Sequence, residues 1–206
     1  MRMYFIPRFL RFIYANKAIW KIPSRRKIIY LTFDDGPTSA ITPWILDSLA
    51  QYNARATFFC VGDNVVKHAE IFNQITDRGH SVGNHSFHHL NGWKTRADKY
   101  LEDVLEAADV IPGKLFRPPY GRIRFSQSRL LNDLGYKIIL WTVLSYDFDK
   151  HLDLETAWQK IVKHTSPGSI IVFHDHQKAF ENLKELLPKT LKYYSKKGFV
   201  FEKISL

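Results

Sequence analysis

The chain has one cysteine, Cys60, in 206 residues. A lone cysteine excludes an intramolecular disulfide. Its place in the apolar run Ala56-Thr57-Phe58-Phe59-Cys60-Val61 marks a buried thiol. Such usage is compatible with a reducing compartment. No glycine fingerprint for a dinucleotide and no P-loop occurs. Internal repeats and low-complexity tracts are missing as well. No apolar run is long enough to span a bilayer, because Arg8 and Arg11 interrupt the most aromatic stretch. That stretch also lacks an uninterrupted apolar centre and a small-residue cleavage site, so it reads poorly as a secretory signal. The expectation is a protein of the cytoplasm, or one peripheral at a membrane.

Arginine and lysine are abundant, giving a net charge of +10. A basic surface attracts anionic polymers or membranes. The lysines are scattered through helical segments, and arginines do not interleave with aromatics as on a nucleic-acid platform. No nucleic-acid partner is expected. Residues 1–26 form a basic, aromatic N-terminal extension ending in Ser24-Arg25-Arg26. It is expected to pack its aromatics on the domain or to lie on a membrane surface. Residues 27–206 are expected to form one domain, a length that supports a sizeable core.

Strand-like and helix-like segments alternate from residue 27 onward. Strands are expected at Lys27 to Phe33, Ala56 to Val61, His80 to Asn84, Leu115 to Arg117, Tyr136 to Leu144, Ser169 to Phe173 and Phe199 to Ile204. Helical spacing covers Thr42 to Leu49, Asp63 to Gly79, Arg96 to Val110, Ser126 to Leu134 and Leu154 to His164. A last helix over Lys178 to Tyr194 should be kinked or broken at Pro188. Seven strands alternating with helices imply parallel βαβ units. The chemistry-bearing residues fall at the carboxyl ends of strands, where α/β barrels build active sites. An α/β barrel is therefore preferred to an open doubly wound sheet.

Two segments carry the chemistry: Thr32-Phe33-Asp34-Asp35-Gly36-Pro37 and His85-Ser86-Phe87-His88-His89. Histidines four residues apart can meet one metal ion, and a carboxylate from elsewhere completes a His/His/Asp set with positions left for water. A second carboxylate can act as a base on that water. His88 lies within reach as well, at three-residue spacing. Each segment alone is weak, since Asp-Asp-Gly-Pro is also a common turn signal. Three further segments follow in order: Arg117-Pro118-Pro119-Tyr120-Gly121, a stretch from Trp141 to Asp149, and Ile171-Val172-Phe173-His174-Asp175.

Together these segments resemble the polysaccharide deacetylases, the NodB-homology carbohydrate esterases of family 4, over about residues 27–206. The resemblance implies a distorted (β/α)7 barrel and a metal-dependent hydrolase. Its expected substrate is an N-acetylated amino sugar in an N-acetylglucosamine-type oligo- or polysaccharide, with release of acetate. Carried over by position, Asp35, His85 and His89 are the metal ligands and Asp34 is the general base. Zinc is the first candidate ion, with Co2+, Ni2+ and Mn2+ behind it. The backbone N–H of Tyr120 is the expected oxyanion donor, the two prolines before it having none. His174 takes the place of the acid, and Arg117 is expected to hold Asp34 ionised and oriented.

Two positions depart from the family pattern. Leu144 stands where an aspartate commonly tunes the acid histidine, so another carboxylate must serve; Asp147 is the first candidate, with Asp149 and Asp175 behind it. Val172 stands where leucine is usual. His68, His80, His151, His164 and His176 are expected to be structural or exposed, with His176 a weak candidate for the rim of the site. Trp93, Tyr120 and Trp141 are candidates for stacking on a sugar ring, although the apolar surroundings of Trp141 favour core packing. Two other readings compete: hydrolysis of another small amide or acetyl ester by the same site, and a catalytically weak carbohydrate-binding barrel.

Overall fold

The computed structural model describes residues 18–206. Positions 1–17, which carry most of the expected extension, lie outside the described residues. No helix among the described residues is long and apolar enough to cross a membrane.

The sheet is wholly parallel between its named strands. β1 (Ile28–Asp34) is central, flanked by β2 (Ala56–Cys60) and β7 (Ile170–His174). Beyond β2 come β3 (Ser81–Asn84), β4 (Leu115–Phe116) and β5 (Lys137–Ile138); beyond β7 comes β6 (Val143–Leu144). β8 (Val200–Phe201) pairs with the start of β1. The sheet curls into a half-barrel wrapped by helices, the architecture expected of a distorted α/β barrel.

Alternation along the strands sorts the chemistry from the packing. Ile29, Leu31 and Phe33 of β1 join Phe58, Cys60, Ile171 and Phe173 in a core cluster. Among the helices that cluster packs on are α1 (Ile41–Ala50), α6 (Leu154–His164) and α7 (Phe180–Lys196). The intervening residues Thr32 and Asp34 therefore face the other side of the sheet. Asp34 pairs in register with His174, and Thr32 with Val172. Parallel partners point to the same face, so Asp34, His174 and Val172 share the concave side. Phe59, Ile170, Val172 and Trp141 belong to a second core cluster there. It runs out to α4 (Ala97–Ala108) through Tyr100 and to α5 (Phe125–Asp133) through Leu131.

Three expectations need correction. The single strand over 136–144 is two short strands, one pairing β4 and the other β7. The segment before β1 bridges across here: Ile19 pairs with Ile139, just after β5, and Lys21 with Ser169, just before β7. Its N–H at Ile19 donates to the Ile138 carbonyl at 2.8 Å, and the Leu140 N–H donates to the Ile19 carbonyl at 2.8 Å. Trp20 is buried beside this seam.

The helix expected from Asp63 to Gly79 is α2 (Gly62–Lys67) and α3 (Ala69–Asp77), divided at His68, whose backbone is not helical. Finally, α7 runs unbroken through Pro188. A proline inside a helix costs about 3 kcal/mol. Leu183, Leu186, Leu187, Leu191 and Tyr194 bury one continuous face on both sides of it, and burial of a large apolar side chain returns about 1.5–3 kcal/mol each. Packing outweighs the lost hydrogen bond.

Candidate active site

β1 ends where its last residue has to share a site with its neighbour. Adjacent strand residues point to opposite faces, and the backbone resolves this by leaving the strand. Asp35 has φ 86°, in the left-handed region, so both carboxylates turn into one bowl. A hydrogen bond from Asn64 Nδ2 to the Asp35 carbonyl, 2.7 Å, holds that turn. Asp175 holds the next residue: its carboxylate accepts from the Gly36 N–H at 2.7 Å and from Thr42 Oγ1 at 2.6 Å. A Cβ on Gly36 would lie 1.9 Å from an Asp175 oxygen, so only glycine fits.

The bowl has a cavity volume of about 970 Å³. Asp34, Asp35, His85, His89, Tyr120 and His174 all line it.

Asp35 Oδ1 lies 3.0 Å from His89 Nε2 and 3.5 Å from His85 Nε2. The ligand atoms of these three residues lie within 4.8 Å of one another. The His85 Nδ1–H donates to the Arg117 carbonyl at 2.7 Å, which leaves its Nε2 lone pair facing Asp35. His88, the alternative at three-residue spacing, turns away. Its Nδ1–H donates to the buried Asp103 at 2.6 Å, and the same carboxylate accepts the backbone N–H groups of Phe87 and His88. Both Ser86 and His89 have positive φ, which lets the loop present His85 and His89 together. Two imidazoles and one carboxylate at this separation fit a single divalent ion. Burial opposes the charge of Asp35. The imidazoles of His85 and His89 nevertheless hold its carboxyl well below the usual range, with support from the His174 charge.

Asp34 is nearly buried and paired. Arg117 Nη1 donates to its Oδ1 at 2.7 Å and to Thr32 Oγ1 at 2.6 Å. Arg117 is fully buried rather than a surface ion pair. Its Nε and Nη2 donate to the carbonyls of Ile139 and Leu140, and its guanidinium lies 4.1 Å from the Phe59 ring centroid. Burial lowers its pKa, and the Asp34 charge opposes that.

His174 closes β7. Its Nδ1–H donates to Asp147 Oδ1 at 2.7 Å, and its backbone N–H donates to Asp147 Oδ2 at 2.8 Å. Ser145 Oγ donates to the same Oδ1. Burial alone would depress the His174 pKa. Asp147, through charge and hydrogen bond, raises it to about 9, helped by Asp35 and Asp34. The structure thus brings Asp147 to the histidine, while Leu144 lines the bowl. Asp149 accepts the His151 N–H, and Asp175 serves Gly36 and Thr42.

Tyr120 sits in a short 3-10 turn at φ 59°, its ring 4.6 Å from that of His89. Gly121 beside it has φ 66°, and a Cβ there would meet the Trp141 ring at 2.5 Å. Trp141 therefore floors the bowl as well as packing the core. One face of Trp93 carries the Arg122 guanidinium at 5.2 Å.

The sequence understated His176. Its Nε2 lies 3.3 Å from Asp35 Oδ2. The only hint was its two-residue spacing from His174 after a strand end. Asn64 and Asp103, whose contacts are described above, gave no comparable hint.

Comparisons with known proteins identify the family. The family model described as Polysaccharide deacetylase matches residues 21–139, more than half of the chain. A peptidoglycan-N-acetylglucosamine deacetylase of Bacillus cereus (strain ATCC 14579) is 33% identical over 192 residues, 90% of each protein. A chitooligosaccharide deacetylase of Azorhizobium caulinodans is 32% identical over 163 residues, 75% of this chain and 77% of that protein. Other peptidoglycan-N-acetylglucosamine deacetylases are longer, and the chain spans 57% and 40% of two of them. A crystal structure of a peptidoglycan N-acetylglucosamine deacetylase, bound to 4-naphthalen-1-yl-N-oxidanyl-benzamide, superposes with a TM-score of 0.84 at 31% identity. That match covers 93% of this chain and 90% of the other.

Proposed function

The chain belongs to the polysaccharide deacetylase family, and on that premise we propose that it hydrolyses the acetamide of N-acetylated amino sugars in an N-acetylglucosamine-type oligo- or polysaccharide. One observation carries this reading. Asp34, Asp35, His85, His89 and His174 converge on one open bowl, and Asp34, His85 and His174 are each held by a buried partner.

In this reading Asp35, His85 and His89 hold a divalent ion, with zinc the first candidate because the donors are two imidazoles and a carboxylate. When bound, such an ion supplies Lewis-acid polarisation of the acetyl carbonyl and a lowered pKa for water. Asp34, oriented by Arg117, accepts a proton as water attacks the carbonyl carbon. The Tyr120 N–H donates to the oxygen that gains charge. His174, protonated because Asp147 stabilises its imidazolium, gives its proton to the amine as the C–N bond breaks. Acetate and a free amino sugar result. Val172 and Leu144 offer an apolar wall to the acetyl methyl. With Asp147 on His174, the altered fourth motif no longer favours a non-catalytic barrel.

The test is mass spectrometry of N-acetylated oligosaccharides and acetyl esters incubated with zinc-loaded protein. Loss of acetyl groups from the amino sugars, abolished by Asp34→Asn, is expected. Hydrolysis confined to esters, or no hydrolysis at all, would overturn the assignment.

A further inference from the structure

The His176 ring is fixed at one edge and faces Asp35 with the other. The backbone N–H of Lys178 donates to its Nδ1 at 3.0 Å. An Nδ1 that accepts carries no proton, so the ring proton sits on Nε2. That Nε2–H faces Asp35 Oδ2 at 3.3 Å. The other oxygen, Oδ1, is the one that faces His85 and His89. The loop that carries His176 is itself fastened: the Asp175 N–H donates to the Asp34 carbonyl, and the Ala179 N–H donates to the His176 carbonyl, both at 3.0 Å.

We infer that His176 is a positioning residue for the metal carboxylate, its Nε2–H holding Asp35 Oδ2 so that Oδ1 alone is presented to the ion. The inference rests on the metal reading of Asp35, His85 and His89. A ligating carboxylate is free to rotate and exchange its oxygens unless one is engaged. Partners that orient metal ligands in this way are worth about 10–100-fold in affinity. With its proton on Nε2, His176 has no lone pair on that side and does not itself ligate. Asn64 fixes the Asp35 backbone, and His176 fixes its side chain.

The experiment measures the zinc dissociation constant by competition with a chromogenic chelator for wild type and three variants. His176→Ala and His176→Phe remove the donor, the second keeping ring volume beside His174 should the first fail to fold. Both should bind zinc about 10–100-fold more weakly. His176→Gln, whose amide N–H can replace the donor, should stay near wild type. Cobalt-loaded His176→Phe should keep the wild-type visible bands, because the ligands are unchanged, whereas His89→Ala should not.

Equal zinc affinity in all variants would overturn this inference alone. Cobalt bands in His176→Phe that match loss of an imidazole ligand would overturn it in favour of direct ligation. A wild-type protein that binds no divalent ion would overturn the metal reading and this inference with it.

Discussion

Asp147→Asn removes one charge and leaves the shape of the site almost unchanged. In the wild type the Asp147 carboxylate sits fully buried against His174, which is itself only 12% exposed, and the His174 pKa stands at about 9. Without the anion, burial pulls that pKa down, and only Asp35 and Asp34 remain to oppose it. Taking a return to the unperturbed value of ~6.5, His174 would be ~3% protonated near pH 8 instead of ~90%, a ~30-fold deficit of the acid form. Near pH 6 the two proteins would differ by less than about twofold. The loss of turnover should therefore be steeply pH-dependent, and the alkaline limb of kcat/KM should move to lower pH. The assay is amine release from one N-acetylated oligosaccharide across the pH range, with both proteins loaded with the same metal. The difference between the two profiles carries the test. A loss of the same size at every pH, or an unmoved alkaline limb, would refute the argument.

Asp34→Asn should keep zinc and the fold yet lose about 10²–10⁴-fold in kcat, since an amide cannot accept the water proton; zinc stoichiometry and turnover together check this. Arg117→Met leaves Asp34 buried without its partner and should cost about 3–5 kcal/mol in urea unfolding, part of which Arg117→Met/Asp34→Asn should restore while activity stays lost. Gly36→Ala forces its new methyl against the Asp175 carboxylate and should displace the turn that carries Asp35; weakened zinc binding by chelator competition is expected. The raised pKa of His174 also sets a stability window. The protonated form is favoured by folding, so its contribution is fully present below ~6.5 and is lost as pH rises through about 9, which a melting temperature falling over that interval would show.

The sequence made the strands with uniform apolar runs easy to read. β1, β2 and β7 are buried on both faces, and such runs are unmistakable. The Asp35, His85 and His89 cluster was legible because its members lie in two short motifs. Asp147 was within reach because a missing carboxylate at Leu144 forces a search for another. Three features were not legible for physical reasons. Pro188 sits in α7 because burial on either side outweighs its local cost. The strand at 136–144 divides because its two ends pair with different neighbours, which only the assembled sheet decides. His176 is placed by a turn whose hydrogen bonds involve Asp34, 142 positions earlier in the chain, counted from their sequence numbers.

The seam at Ile19 reaches the chemistry through Arg117. The guanidinium hangs from the carbonyls of Ile139 and Leu140, and these are the residues that the segment around Ile19 clasps from its other side. Its remaining nitrogen, Nη1, is buried and reaches Asp34 at the end of β1. The arrangement works as a hoop around a barrel. A stretch with no reactive group of its own ties the β5 edge to the start of β7, and the base takes its aim from how tightly that hoop is drawn.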